Sequence, residues 1–486
     1  MNIVSFEFLG FVAVIVLLNQ LIPTKYRRLL IAGASLYYAW TCSPFTLFTL
    51  LLVSAIAFLA GHLITHQPGM AKWTLWISVA TIVFLMVGYR WINSAADTLS
   101  FTARINIVII GLSFYGMEAI SYIIDTYSSK KAAFSNPIDT VEYLSFFPTL
   151  LSGPIKKADD FAQQTHSIEE SSRKAQFNLS AVRNGIFLMI WGYFLKLVIA
   201  DRLTLLVDNV YEKYFVYGTV VLGLTAAAYS LQLYCDFMSY SMIAAGIAVM
   251  LGYRVPDNFQ EPYMAVSISD FWRKWHVSLS SWLRDYIYIP LGGNRKGTAR
   301  QYLNTLITFA VSGVWHGFGF SFLAWGLLHG FCVVVENLLK SWKSSHNYND
   351  QNLNELSGAG SVFLKRMLTF IIVTVLWIFF RSASLPDAVL YIWHMVTSHD
   401  LWVLSGGRIT NLGLSASEMN IAIFGLFILF IVSHILNERK MTFLKWINGE
   451  SCVFRVLFGV LLLAGIIVFG KYGPGFDTQS FIYSQF

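Results

Sequence analysis

The stretch MNIAIFGLFILFIVSHILN, residues 419–437, contains no aspartate, glutamate, lysine or arginine. A helix of this length spans the hydrocarbon core of a bilayer, which is roughly 30 Å thick. Comparable apolar runs recur along the chain and predict about twelve crossings, at 4–21, 28–42, 44–64, 73–92, 105–125, 177–200, 219–250, 301–318, 320–339, 367–380, 419–437 and 453–470. The sequence therefore predicts an all-α polytopic membrane protein.

The composition of the whole chain supports this interpretation. Of its 486 residues, 56% are hydrophobic and only 13% are charged, which excludes a soluble protein of this length. Aromatic residues make up 16%, compatible with interfacial belts and with aromatic-lined cavities. We expect residues 1–486 to form a single membrane-embedded domain.

Positive charge is distributed unevenly between the loops. If the first residue lies outside, the loops predicted inside contain 25 of the 34 lysines and arginines. These loops are 23–28, 65–72, 126–175, 253–300, 340–366 and 438–455. The bias predicts that they are cytoplasmic and that both termini are external. Residues 341–361 are then a flexible cytoplasmic loop and 471–486 an external tail, and the net charge of +7 does not indicate nucleic-acid binding.

The cysteines and the N-terminus exclude some other arrangements. Cys42, Cys235, Cys332 and Cys452 are far apart and match no metal-binding spacing, so neither a zinc site nor a disulfide framework is predicted. The first 23 residues lack a basic n-region and a small-residue cleavage site. We interpret them as the first crossing rather than as a signal peptide.

Two apolar or amphipathic segments are interrupted by proline, glycine or charge: VEYLSFFPTLLSGPI at 141–155 and SISDFWRKWHVSLSSWLRDYIYIPL at 267–291. They are predicted to be re-entrant or in-plane, packed against protein or lining a cavity. In the second segment, Ser267 is expected to cap a helix that continues to LGG at 291–293. Its aromatic-aliphatic stripe consists of Phe271, Trp275, Leu279, Trp282 and Tyr286.

Two histidines, each preceded by tryptophan, are candidates for chemistry. His276 lies in the segment 267–291, and His316 lies in VSGVWHGFGF at 311–320. Ionisable residues inside a membrane usually face a cavity, and burial favours the neutral imidazole, which accepts a proton from a hydroxyl. His316 is therefore a candidate general base for acyl transfer, with His276 converging on the same cavity. Packing alone is the alternative for both rings.

Several longer motifs resemble a known family. They are LSGPI at 151–155, YCDF at 234–237, VPDNFQEPY at 255–263, FWRKWHVSLSSWLRDYIYIPLGGNRKG at 271–297 and VSGVWHGFGFSFLAWGLLHG at 311–330. In this order they resemble the membrane-bound O-acyltransferase (MBOAT) family, in particular its bacterial branch of alginate O-acetylation (AlgI) and D-alanyl transfer (DltB) proteins. IPLGGNRKG at 289–297 looks closer to the alginate type. This similarity favours acetyl over D-alanyl as the group that is transferred.

The resemblance implies an MBOAT-like fold with a central funnel or tunnel and a catalytic core over about 126–340, including the inner loop 253–300. It implies His316 as the central histidine of the family and His276 as the upstream one. It implies no permanently bound cofactor and no metal. Acetyl-CoA is the expected donor, met on the cytoplasmic side by Arg273, Lys274, Trp275, Arg295 and Lys296.

The resemblance also suggests roles for polar residues elsewhere. Tyr483 in the tail FIYSQF could carry the acyl group outward, with an interfacial anchor as the alternative. Asp236 could line the cavity or make a hydrogen bond between helices. After YCDF the chain has MSYSM at 238–242 where the alginate type has SGYSD, so the motif leaves the acceptor undefined. Glu118 and Asp125 share a helix face and are expected to belong to a structural network.

Together these features predict an O-acetyltransferase of the bacterial inner membrane that acetylates an extracellular or periplasmic polysaccharide, alginate- or cellulose-like. The implied partners are the lipid bilayer, a periplasmic SGNH-type acetyltransferase and a polysaccharide synthase or export complex, without nucleic acid. Transfer to peptidoglycan, a lipid or teichoic acid is an alternative. A transporter is the alternative from another class, although the sequence shows no related halves, and no G-x-S-x-G motif indicates a serine hydrolase.

Overall fold

The chain is almost entirely helical in the part that the structure, a computed structural model, describes: residues 1–98, 109–128, 133–170, 178–345, 358–404, 412–473 and 481. Within these ranges there is no β-strand. The α-helices are Phe6–Leu21, Thr24–Cys42, Pro44–His66, Ala71–Thr98, Leu112–Tyr127, Pro137–Ser145, Ala158–Glu170, Leu179–Tyr193, Asp201–Glu212, Thr219–Leu251, Ile268–Lys274, Val277–Leu283, Thr298–His316, Phe320–Ser345, Ala359–Arg381, Leu385–Thr397, Ala416–Arg439, Phe443–Gly449 and Cys452–Phe469. Two π-helical turns, Phe194–Ala200 and Arg284–Tyr288, continue the helices before them. The all-α prediction is confirmed.

Among the described residues, seven helices are long and apolar enough to cross a membrane. They are Pro44–His66, Pro68–Tyr89, Thr219–Leu251, Phe320–Lys343, Ala359–Arg381, Ala416–Arg439 and Cys452–Phe469. Large apolar side chains lie exposed on them; on the last helix Val453, Leu461 and Val468 are 69–70% exposed. Such surfaces are stable in lipid, so the protein is a multi-pass membrane protein. The count of twelve crossings, the central tunnel and the external termini stay predictions.

The chain packs as two compact units. The first consists of Met1–Gly192, Tyr240–Pro256 and Tyr472–Phe486, and the second of Tyr193–Ser239 and Asp257–Lys471. The core predicted over 126–340 contributes residues to both units. All three histidines described below belong to the second.

In the first unit, the interrupted segment 141–155 contains the end of the helix Pro137–Ser145 and then non-helical chain. Residues 142–156 are all buried. Lys156 holds this chain in place, because its Nζ donates to Glu118 Oε1 at 2.8 Å and to Oε2 at 3.0 Å, and its backbone N donates to Oε1 at 2.9 Å. The predicted interruption and the structural role of Glu118 are confirmed, and burial protects the irregular backbone.

In the second unit, the helices Thr298–His316 and Phe320–Ser345 form a closely packed hairpin. A Cβ on Gly326 would lie 2.3 Å from Phe309 O, and one on Gly313 would lie 2.4 Å from Phe322 O. Glycine therefore permits the close approach of the two backbones. The second helix ends at Ser345, five residues into the stretch predicted as the loop 341–361, and 346–357 lies outside the described residues.

Gly326→Ala is expected to separate this hairpin, because the new Cβ meets a backbone carbonyl that cannot rotate away. We expect a destabilisation of about 1–3 kcal/mol, measured as a lower midpoint of thermal unfolding for protein purified in detergent. Gly319→Ala is the control, since its Cβ would meet its nearest neighbour at an ordinary 3.5 Å. Equal losses in the two variants would contradict the role of close packing.

The segment 267–291 is not one helix, so that prediction was wrong. Ser267 caps the helix Ile268–Lys274 as expected, accepting from Asp270 N. The helix then ends, His276 adopts a left-handed conformation with φ 43° and ψ 55°, and a new helix begins at Val277. The cause is tertiary: an upstream loop supplies the backbone partners at this break.

Candidate active site

His276 is held in its unusual conformation by the loop that precedes it. Gln260 N donates to Lys274 O at 3.0 Å, and Val277 N donates to Asn258 O at 2.9 Å. A left-handed conformation is costly for a residue with a side chain and often marks a functional site. These two hydrogen bonds lie on either side of the residue and hold its backbone in this conformation.

The imidazole of His276 is 1% exposed and meets the ring of Phe237 edge-on, with centroids 4.6 Å apart. Burial lowers the pKa of His276 to about 3, because the charged form loses its hydration. The ring is therefore neutral near pH 7, as the sequence predicted.

His316 ends the helix Thr298–His316 and is 3% exposed. Its ring lies 4.6 Å from Trp315, 5.0 Å from Trp325 and 5.2 Å from Phe380, all measured between centroids. Trp315 also lies 6.3 Å from His276. The two predicted histidines therefore neighbour the same tryptophan in one compact unit, and three aromatic rings pack around His316.

A third histidine, His329, was missed by the sequence reasoning. It is fully buried in the helix Phe320–Ser345, 5.2 Å from the ring of Trp325 one turn earlier. Trp272 Nε1 donates to His329 Nδ1 at 3.2 Å, so the neutral ring carries its proton on Nε2. No acceptor for that proton is found among the described residues.

The signal for His329 was present in the sequence. It stands in GLLHG, inside an apolar run without charged residues, and an ionisable residue inside a membrane marks function by the same argument as His316. The absence of a preceding tryptophan made it less conspicuous. Its tryptophan partner, Trp272, comes from a different helix.

An aromatic cluster contacts His316 and His329, while Trp315, outside that cluster, links His316 to His276. The cluster consists of Phe271, Trp272, Trp275, Trp325, Trp377 and Phe380. Trp325 stacks on Trp377 at 5.4 Å with an interplanar angle of 22°, and Trp377 lies 5.0 Å from Trp275. Large rings in close contact exclude water and hold the imidazoles in fixed orientations.

The residues predicted to meet the acyl donor divide into two groups. Arg273, Arg295 and Lys296 are exposed. Lys274 is half-buried, with Nζ 3.3 Å from Asp270 Oδ2 and 3.4 Å from Asn437 Oδ1. Trp275 does not share this exposed face, because the structure places it inside the aromatic cluster.

Asp236 belongs to a buried ionic group. Lys196 Nζ donates to Asp236 Oδ1 at 2.7 Å and lies 3.0 Å from Asp201 Oδ1. Lys196 sits in the π-helical turn Phe194–Ala200. These contacts favour the structural alternative for Asp236 over a place on a cavity wall. Tyr483 lies outside the described residues, and among those described no group of three or more His, Cys, Asp or Glu side chains could hold a metal ion.

Residues 34–380 match the profile of MBOAT, the membrane-bound O-acyltransferase family. The chain belongs to the membrane-bound O-acyltransferase family. The resemblance seen in the motifs is confirmed, and membership argues against a transporter.

Relatives of this MBOAT protein include enzymes with different acceptors. It is 34% identical over 439 residues to the probable alginate O-acetylase of Pseudomonas aeruginosa, covering 85% of this chain and 78% of the relative. It is 28% identical to the peptidoglycan O-acetyltransferase of Helicobacter pylori, over 82% and 77% of the two chains. It is 27% identical to the teichoic acid D-alanyltransferase of Bacillus subtilis, over 43% and 54%. The protein is therefore a membrane-embedded O-acyltransferase of the alginate O-acetylase type.

Proposed function

We propose that this MBOAT enzyme transfers acetyl from cytoplasmic acetyl-CoA, across the bacterial inner membrane, to a hydroxyl on the path to an extracellular or periplasmic polysaccharide. One observation supports this most strongly: His316 and His329 are buried against one aromatic cluster, and Trp315 links His316 to the buried His276. Buried neutral imidazoles can accept and donate protons at pH 7.

The donor approaches from the cytoplasmic side. Arg273, Arg295 and Lys296 are exposed in a loop that the charge distribution predicts to be inside, and Lys274 adjoins them. These cations attract the phosphates of coenzyme A. The thioester end then extends toward the aromatic cluster, which excludes water and so limits hydrolysis.

His316 acts as the general base. The acceptor oxygen attacks the thioester carbonyl carbon, its proton passes to the imidazole, the carbon–sulfur bond breaks, and the departing thiolate takes the proton. Negative charge develops on the carbonyl oxygen, and the Nε2–H of His329 donates to it. His276, neutral because of its low pKa, orients the reacting groups.

The acetyl group leaves on the outer side. The accepting hydroxyl belongs to Tyr483 in the C-terminal tail or to an external molecule. From there a periplasmic SGNH-type acetyltransferase, working with a polysaccharide synthase or export complex, completes the modification. Peptidoglycan and teichoic acid are the acceptors named for two relatives, and they are alternative acceptors here.

The purified protein in proteoliposomes tests the proposal. Radiolabelled acetyl-CoA, or a D-alanyl thioester in a parallel reaction, is supplied without any ion gradient, together with a soluble oligosaccharide, a peptidoglycan fragment or teichoic acid. We expect free coenzyme A to appear together with a labelled ester. Uptake of intact acetyl-CoA without thioester cleavage would instead identify a carrier, and cleavage only of a D-alanyl thioester would overturn the acetyl assignment.

A further inference from the structure

The second unit contains a cavity of about 440 Å³, a size found in ligand-binding sites. It lies where the helices Asp201–Glu212 and Ala359–Arg381 end and where Leu385–Thr397 begins. The uneven distribution of lysine and arginine predicts that these ends are external. The cavity therefore opens on the side where an extracellular acceptor would arrive.

The end of the helix Ala359–Arg381 contributes to both the cavity and the candidate active site. The ring of Phe380 lies 5.2 Å from that of His316, and the next residue, Arg381, lines the cavity. Arg381 Nη2 donates to Asp208 Oδ1 at 2.5 Å. Its guanidinium lies over the ring of Tyr211, 5.3 Å from the centroid. The two sites are therefore connected through consecutive residues at the end of one helix.

Tyrosine rings form one wall of the cavity. Tyr211 and Tyr391 stack at 4.6 Å with an interplanar angle of 21°, and Tyr214 lies 5.9 Å from Tyr391. Tyr391 Oη donates to Leu222 O at 2.8 Å, which fixes this ring. Tyr211 and Tyr391 are buried, so the accessible aromatic surface is the exposed part of Tyr214. A pyranose ring packs its C–H face on an accessible aromatic ring, while its hydroxyls need polar partners at the edge.

Those polar partners are mostly anionic. Asp208, Glu212 and Asp387 line the cavity, whereas Arg381 is its one lysine or arginine among the described residues. Arg381 already pairs with Asp208, so two carboxylates stay without a cationic partner in the lining. Carboxylates accept hydrogen bonds from sugar hydroxyls, but they repel an anionic ligand.

We propose that this cavity binds a neutral sugar unit of the acceptor and disfavours a uronate polymer such as alginate. The inference rests on the proposed function and narrows its substrate class. It assigns stacking to the exposed part of Tyr214 and hydroxyl recognition to Glu212 and Asp387. The alginate named for the Pseudomonas aeruginosa relative is then a disfavoured acceptor for this chain.

Binding of oligosaccharides to the full chain in nanodiscs, without an acyl donor, tests the inference. The probes are cellohexaose and a mannuronate hexamer, and binding is followed by saturation-transfer difference NMR. We expect cellohexaose to bind at least about fivefold more tightly than the uronate, and Tyr214→Ala to weaken it by at least about fivefold through lost ring contact. Phe215 is exposed and does not line the cavity. The control variant Phe215→Ala should therefore bind cellohexaose with the wild-type affinity.

A charge variant tests the selectivity separately. Glu212→Gln combined with Asp387→Asn should raise the affinity for the mannuronate hexamer. Three results would each overturn the inference: equal affinity for the two probes, no binding of cellohexaose to the wild-type protein, or a wild-type affinity of Tyr214→Ala for cellohexaose. Because no donor is present, these outcomes are independent of acetyl transfer, whose absence in the wild-type protein would instead refute the proposed function.

Discussion

Replacing His316 by alanine is expected to slow acetyl transfer by about a hundredfold or more, the usual contribution of a general base. Without the imidazole, the acceptor hydroxyl keeps its proton and attacks the thioester poorly. The protein should still fold, because the neighbouring rings of Trp325, Trp377 and Phe380 also pack on one another. The measurement is the rate of coenzyme A release by equal amounts of monodisperse protein in proteoliposomes.

Two further histidine variants make this result specific. His434→Ala changes an exposed histidine on the membrane helix Ala416–Arg439, and we expect it to keep the wild-type rate. His329→Ala should also lose about a hundredfold, as when one oxyanion donor is removed, and His329→Gln should recover part of the rate. If His316→Ala kept a nearly normal rate while His329→Ala did not, His329 would be the base and the assignment to His316 would be wrong.

Lys156→Ala is expected to cause the largest loss of stability. Lys156 and Glu118 are both buried and make the closest ion pair of the irregular segment in the first unit. Without the ammonium, the Glu118 carboxylate stays buried with no opposite charge, at a cost of about 3–5 kcal/mol. A strongly lowered midpoint of thermal unfolding in detergent, or loss of monodisperse protein, would show this effect.

A second lysine provides the matched control. Lys340 pairs with Glu336 one turn earlier on the same helix, but it is exposed. Exposed ion pairs contribute about 0–1 kcal/mol to the free energy of unfolding. The midpoint of thermal unfolding of Lys340→Ala should therefore be close to that of the wild-type protein. Replacing both partners, Glu118→Leu with Lys156→Met, should recover part of the stability because no unpaired charge is left. Similar effects of Lys156→Ala and Lys340→Ala would contradict the importance of the buried pair.

The sequence by itself determined the helical class, the position of most helices and the family. Apolar runs of bilayer length are a local property of the chain, because each helix satisfies its own backbone hydrogen bonds. The helix start at Ser267 was likewise readable, since a cap involves residues close in sequence. His276 and His316 could be singled out because each follows a tryptophan within a recognisable motif.

Only the tertiary structure decided how these residues meet. The break at His276 depends on Asn258 and Gln260 from an upstream loop, so the stripe of the segment 267–291 could not reveal it. The proton position on His329 depends on Trp272, which lies 57 residues away. Asp236 is paired through Lys196, 40 residues away. Irregular backbone and buried polar groups must find partners wherever the fold supplies them, and sequence periodicity carries no record of partners so distant.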